Sequence, residues 1–214
     1  MSWILALLGC SAMNTARPLE KGQHAAGLTL GGALLDMGAP IPVPSAVVEG
    51  RSGVGELANR PVDVNYGVNL SGAAFGLAGV HAGGSWLILE QQGPRPALSV
   101  ADRLHVYTNL ADTTKVDRGW LFLDQIELTA SWELGGQLLY LGAAEYLDFR
   151  DPRLLLSPYL GAELLRRKRL GVQLELRWLA VNQPRVTDAV PWMPEGRGAL
   201  QPTVGLSYRF GGEL

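Results

Sequence analysis

From Gly22 onward the chain repeats one unit: about ten residues in which apolar and polar side chains alternate, closed by a turn signal. In RLGVQLELRWLAVN, Leu170, Val172, Leu174, Leu176 and Trp178 share one parity, and Gly171, Gln173, Glu175 and Arg177 share the other. A period of two belongs to a β-strand, whose successive side chains point to opposite faces. The pattern predicts ten strands, at 23–35, 45–55, 61–71, 78–90, 97–109, 120–133, 137–148, 155–166, 169–181 and 200–210. The expected fold is therefore all-β, an antiparallel up-and-down barrel of ten strands, with eight or twelve as neighbouring solutions. It occupies 23–210 as one domain, preceded by a signal-like segment at 1–10 and a linker at 11–22, and followed by a tail at 211–214.

Alternation alone leaves open which face is wet. Strands of about 9–11 residues are long enough to cross a hydrocarbon layer when tilted, whereas soluble strands more often have about five or six. The links alternate in length, as expected of a barrel with short periplasmic turns and longer outer loops. ELANR, QGPRP, LGGQ and RRKR are short; DMGAPIPVP, SGAAFGLAG, LADTTKVDRG, DFRDPR and NQPRVTDAVPWMPEGRGAL are longer. The chain has three lysines, Lys21, Lys115 and Lys168, against fifteen arginines, and soluble sheets normally protect their edges with lysine. No window holds the roughly 18 consecutive apolar residues of a spanning helix. Any crossing must be made by strands, with the apolar face toward lipid.

Trp120, Phe122, Trp132, Tyr140, Tyr146, Trp178, Tyr208 and Phe210 fall near strand ends on what reads as the apolar face, as in an interfacial aromatic belt. Asp102 and Asp124 interrupt this face, and a β-bulge beside each is expected to turn the carboxylate inward. An even strand number puts both termini on the periplasmic side.

The opposite parity gives a lumen lined by Glu49, Arg51, Asp63, Asn65, His81, Arg103, His105, Glu127, Glu133, Glu145, Glu163, Glu175, Arg177 and Arg209. Ions held away from bulk water need partners, so the leading expectation is a salt-bridge network that plugs the barrel. An alternative is a narrow channel whose acidic excess passes cations or small polar solutes. A rim enzyme would require a histidine such as His105 as a general base, but no G-x-S-x-G or Cys-His arrangement accompanies it; no catalytic residue is assigned. His24, His81 and His105 lack closely spaced ligand partners, so neither a metal nor a cofactor is expected. The net charge of −2 gives no case for nucleic acid. In the 182–199 loop, Trp192 and Met193 are docking candidates for another envelope protein. A soluble barrel holding an apolar ligand, as lipocalins do, is the rival fold.

Two resemblances accompany these readings. Leu7-Leu8-Gly9-Cys10 resembles the lipobox of bacterial lipoproteins, which implies cleavage before Cys10 and its acylation; Ser11 after it implies sorting to the outer membrane. The run from Gly22 to Phe210 resembles a small bacterial outer-membrane β-barrel, and GLSYRF its closing strand, although Gly211 to Leu214 follow Phe210. That resemblance implies an outer-membrane location, contact with its lipid and insertion by the barrel-assembly machinery.

Overall fold

The computed structural model describes residues 16–36, 39–70, 77–109, 120–149, 154–164, 169–184 and 197–212. Its elements are β1 (His24–Gly31), β2 (Leu34–Asp36), β3 (Pro40–Pro42), β4 (Ser45–Leu57), β5 (Arg60–Asn69) and β6 (Leu77–Leu89). They continue with β7 (Ala97–Asn109), β8 (Leu121–Leu134), β9 (Gln137–Asp148), β10 (Leu154–Leu164), β11 (Leu170–Pro184) and β12 (Arg197–Phe210). Ten of these close into an antiparallel barrel in which each strand pairs with its sequence neighbour. β1 completes the ring between β4 and β12, in register from His24↔Ser52 and His24↔Phe210 to Gly31↔Ser45 and Gly31↔Thr203. β2 and β3 form a small hairpin inside the first long link. Closure leaves no free sheet edge, a requirement for strands that cross lipid.

Turn chemistry explains the short links. Ala58 and Asn59 both have left-handed φ between the paired Leu57 and Arg60. Gly135 and Gly136 do the same between Leu134 and Gln137. Both central residues at positive φ make the two-residue hairpin whose twist matches its strands. These turns, the Gln92–Arg95 bridge, His24 and Phe210 all lie at one end of the barrel, so the predicted division into a short-turn end and a long-loop end is present.

The two faces settle inside and outside. Leu30, Val48, Val64, Val68, Leu104, Ile126, Leu128, Leu141, Leu160, Leu174, Leu176, Val204 and Leu206 are all exposed on the exterior. The interior buries Asp63, Asn65, Arg103, His105, Gln125, Glu127, Glu175 and Arg177. A water-soluble fold would have the opposite arrangement, so this is a transmembrane β-barrel. Trp86 and Trp132 sit outside near the short-turn end, donating their indole N–H groups to the Leu57 and Pro94 carbonyls at 3.1 and 3.0 Å. Trp178 donates to the Arg197 carbonyl at 3.0 Å at the opposite end. Each indole thus satisfies its polar edge beside an apolar band.

Three expectations need correction. First, β9 has the reverse parity: Tyr140 and Tyr146 are buried in the lumen, while Glu145 faces outward opposite Ile126 and Leu156. The segment QLLYLGAAEYLD carries apolar residues on both parities, and the tyrosine hydroxyls have ionic partners only inside. Second, Asp102 and Asp124 stay on the exterior. The β7–β8 register runs without a shift from Ala97↔Ser131 to Tyr107↔Leu121, so no bulge turns either side chain. The irregularities lie instead at Gly53/Gly55, Leu87/Leu89 and Leu179/Pro184. Third, β1 ends at Gly31, where Gly32 bends and packs against the Val43 carbonyl. Conversely, β11 and β12 extend into the expected 182–199 loop, to Pro184 and from Arg197.

The lumen as candidate functional site

Within each strand, residues i and i+2 project inward together, so lumenal groups arrive as ladders. On β11, Glu175 and Arg177 form one such pair: Nε and Nη2 of the arginine donate to Glu175 Oε1 at 3.2 and 3.0 Å. Arg177 also donates to the Tyr146 hydroxyl. Its guanidinium lies 5.3 Å from the centre of the Tyr159 ring and 5.9 Å from that of Tyr146, at cation–π range. The other oxygen of Glu175 accepts from Tyr140 at 3.1 Å, and Tyr140 accepts from Gln173 at 2.7 Å. Tyr159 bonds with Thr129 at 2.6 Å.

Glu127 on β8 joins this group to a second one. Its Oε1 is 3.8 Å from Arg177 Nη2 and 3.9 Å from Arg103 Nη1, and accepts from Gln125 Nε2. The carbonyl of the same amide accepts from His105 Nε2 at 2.7 Å. Arg103 in turn donates from Nε to Asn65 Oδ1 at 3.0 Å. Six strands, β5 and β7 to β11, thereby contribute to one buried lattice of ions, amides and phenols, charge-assisted and shielded from bulk water.

A third group closes the short-turn end. Residues Ala16 to Leu19 pass inside the barrel mouth, where Leu19 N–H donates to Asp63 Oδ2 at 2.9 Å and Ser99 donates to the Ala16 carbonyl at 3.0 Å. Arg51 donates from Nε to Asp63 Oδ2 at 3.1 Å, pairs with it through Nη2, and holds the Arg17 carbonyl at 2.9 Å. Arg17 reaches across to Ser131 at 3.1 Å, Gln91 at 2.7 Å and Glu133 at 3.4 Å. Ser85 donates to the remaining oxygen of Asp63, which is fully buried. Gly53 permits the passage, because a Cβ there would collide with the Glu20 carbonyl. Arg209 and Glu163 pair separately.

Of the anticipated lumenal residues, Glu49, Arg51, Asp63, Arg103, His105, Glu127, Glu163, Glu175, Arg177 and Arg209 share the inward parity established by the register; Glu145 does not. Cys10, Trp192 and Met193 lie outside the described residues. Gln125, Tyr159 and Arg17 are not among the lumenal residues expected from single segments, and Tyr140 and Tyr146 are expected there on the apolar face. Two had a readable signal: Gln125 shares the parity of Glu127, and Tyr159 that of Glu163. Arg17 had none, because its partners come from distant strands.

No protein-family model and no curated protein sequence matches the chain. Among solved structures, it is similar to the translocator domain of the autotransporter NalP from Neisseria meningitidis, at 12% identity over 94% of this chain and 91% of that one, with a TM-score of 0.44. It is also similar to Ail, the attachment invasion locus protein of Yersinia pestis. In its complex with the heparin analogue sucrose octasulfate, the match has 12% identity over 89% of this chain and 99% of that one, with a TM-score of 0.28. A second Ail structure has 8% identity and a TM-score of 0.27, at the same coverage of both chains.

Proposed function

We propose that the protein is a bacterial outer-membrane barrel with a structural or partner-binding role, whose lumen is plugged and whose long-loop end faces outward. One observation supports this most directly: Ala16 to Leu19 is bonded to Arg51, Asp63, Ser99 and Ser131 across the short-turn mouth, in line with the Arg177, Glu175 and Glu127 lattice above it. A continuous polar plug crossed by main chain leaves no straight file for ions. Both termini are periplasmic in this reading, and acylation of Cys10 would tether the linker to the inner leaflet. Trp192 and Met193 are the candidate contacts for another envelope protein, and the assembly machinery is the candidate insertion partner.

The test combines two measurements on the Cys10→Ser protein, so that a lipid cannot account for membrane retention. Heat-modifiable gel migration from an outer-membrane fraction is expected, together with no steady conductance in planar bilayers. A water-soluble protein would overturn the membrane assignment. Discrete conductance steps in the unaltered barrel would overturn the plug in favour of a channel for small solutes.

A further inference from the structure

The wall of the barrel is not fastened equally all round. Between β10 and β11 the paired register runs from Leu164↔Val172 to Tyr159↔Arg177 and stops there, although β10 begins at Leu154 and β11 continues to Pro184. On its other side, β11 leaves the β12 register at Leu179↔Ala199 and rejoins it only at Pro184↔Arg197. Residues 180–183 therefore have no register partner on either neighbour. Two residues account for the break. Pro158, next to Tyr159, has no N–H to give to a ladder. Ala180 has a left-handed φ of 49°, a conformation that a non-glycine strand residue seldom adopts.

Side chains hold what the main chain does not. Ala180 N–H donates to Ser157 Oγ at 3.0 Å. Asn182 spans two residues of β10: its Nδ2 donates to the Leu154 carbonyl at 2.8 Å, and its Oδ1 accepts from Leu156 N–H at 3.0 Å. The Asn182 amide thus stands in for a peptide group of the missing ladder and satisfies main-chain groups that lipid cannot. An exposed side chain changes rotamer far faster than a paired strand leaves its sheet.

Both lips of this seam are apolar. Leu154 and Leu156 are exposed on the outside. On the inside, Leu155 and Ala180 belong to one buried cluster with Leu121 and Leu123, and Leu179 is fully buried. We propose that the β10–β11 seam is a side gate of the barrel, with residues 180–183 as its leaf and Asn182 as its latch. It opens the apolar, long-loop end of the lumen to an acyl chain of the surrounding lipid. A polar solute on this route would pass from hydrocarbon into an apolar cluster, so the lips favour an acyl chain. The gate goes beyond the plug, lies on its long-loop side and requires no passage through the Arg177 lattice.

Ser157→Cys and Ala144→Cys test it, each combined with Cys10→Ser so that no other thiol is present. Ala144 lies opposite Ser157 in the β9–β10 ladder and both are fully buried, so a reagent entering by the barrel mouth meets the two alike. Unlike β11, β9 keeps an unbroken register with both neighbours. Barrels refolded into phosphatidylcholine vesicles, with heat-modifiable migration as the check on folding, are treated with a maleimide on a long alkyl chain. Ser157→Cys is expected to label at least tenfold faster than Ala144→Cys, and at least threefold faster again when Asn182→Ala is added. Leu179→Cys, on the other lip, is the second reporter and is expected to follow Ser157→Cys. Equal rates at the lips and at Ala144→Cys, or no reaction at either lip, would overturn the gate. An unchanged rate on adding Asn182→Ala would overturn the latch. Faster labelling of the lips by a charged, water-soluble maleimide than by the long-chain reagent would overturn the assignment to lipid.

Discussion

The phenol end of Tyr140 occupies the space over Gly161 that a Cβ would take, and its hydroxyl donates from there to Glu175 Oε2 at 3.1 Å. A glycine on β10 thereby fixes a hydrogen bond between β9 and β11. The same device recurs where Tyr159 covers Gly142 and His81 covers Gly67. Gly161→Ala is expected to destabilise the barrel by about 1–3 kcal/mol through overpacking. Tyr140→Phe keeps the ring and should cost about 1 kcal/mol. Urea unfolding of the refolded barrel, followed by gel migration, measures both; equal midpoints for Gly161→Ala and the parent would refute the packing role.

Arg177 is the hub of the lumenal lattice, so its loss leaves Glu175 and Glu127 facing each other without their shared cation. Arg177→Met should cost about 3–5 kcal/mol, the penalty of breaking a buried pair from one side. Adding Glu175→Gln should restore part of that loss, and a double-mutant cycle reads the coupling. Strict additivity of the two would show that they do not act as a pair.

On the exterior, Asp102 and Asp124 lie diagonally on adjacent strands, Asp102 opposite Ile126 and Asp124 opposite Leu104. No cation pairs with either among the described residues. A lipid-facing acid is costly by depth, so Asp124→Leu is expected to stabilise the barrel in bilayers by about 1 kcal/mol. The gain should shrink in short-chain detergent, where water reaches the wall. A loss of stability in bilayers would instead mark this pair as a contact for something that the barrel binds within the membrane.

Asp63 connects Leu19, Arg51 and Ser85 at the short-turn mouth. Asp63→Asn should release the 16–20 segment and strand the Arg51 charge. Faster cleavage in that segment under limited proteolysis is expected, together with intermittent conductance steps absent from the parent. Unchanged proteolysis would place the segment's anchorage in Arg17 and its contacts with Gln91, Ser131 and Glu133.

Much of the fold could be read along the chain because a strand that is lipid-facing on one side and lumenal on the other must alternate. Leu170, Val172, Leu174, Leu176 and Trp178 specify their face without help from other strands. The exceptions follow the same logic. In β9 both parities are apolar enough, and tyrosine suits either an interface or a polar interior. Its face was decided by Glu175 and Arg177 two strands away, which accept and donate to hydroxyls available only inside. Asp102 and Asp124 show the converse: the regular ladder of β7 with β8 outweighed the local cost of two outward carboxylates.

Alternation, turn residues and link lengths therefore determined from sequence alone the strand number, most strand boundaries and which side of the barrel is apolar. These are local properties, each carried by neighbours one or two residues apart. Only the tertiary structure decided which lumenal ions pair and that Ala16 to Leu19 closes one mouth. Those contacts join residues far apart in sequence across a closed ring, where curvature and register, rather than spacing along the chain, set the distances.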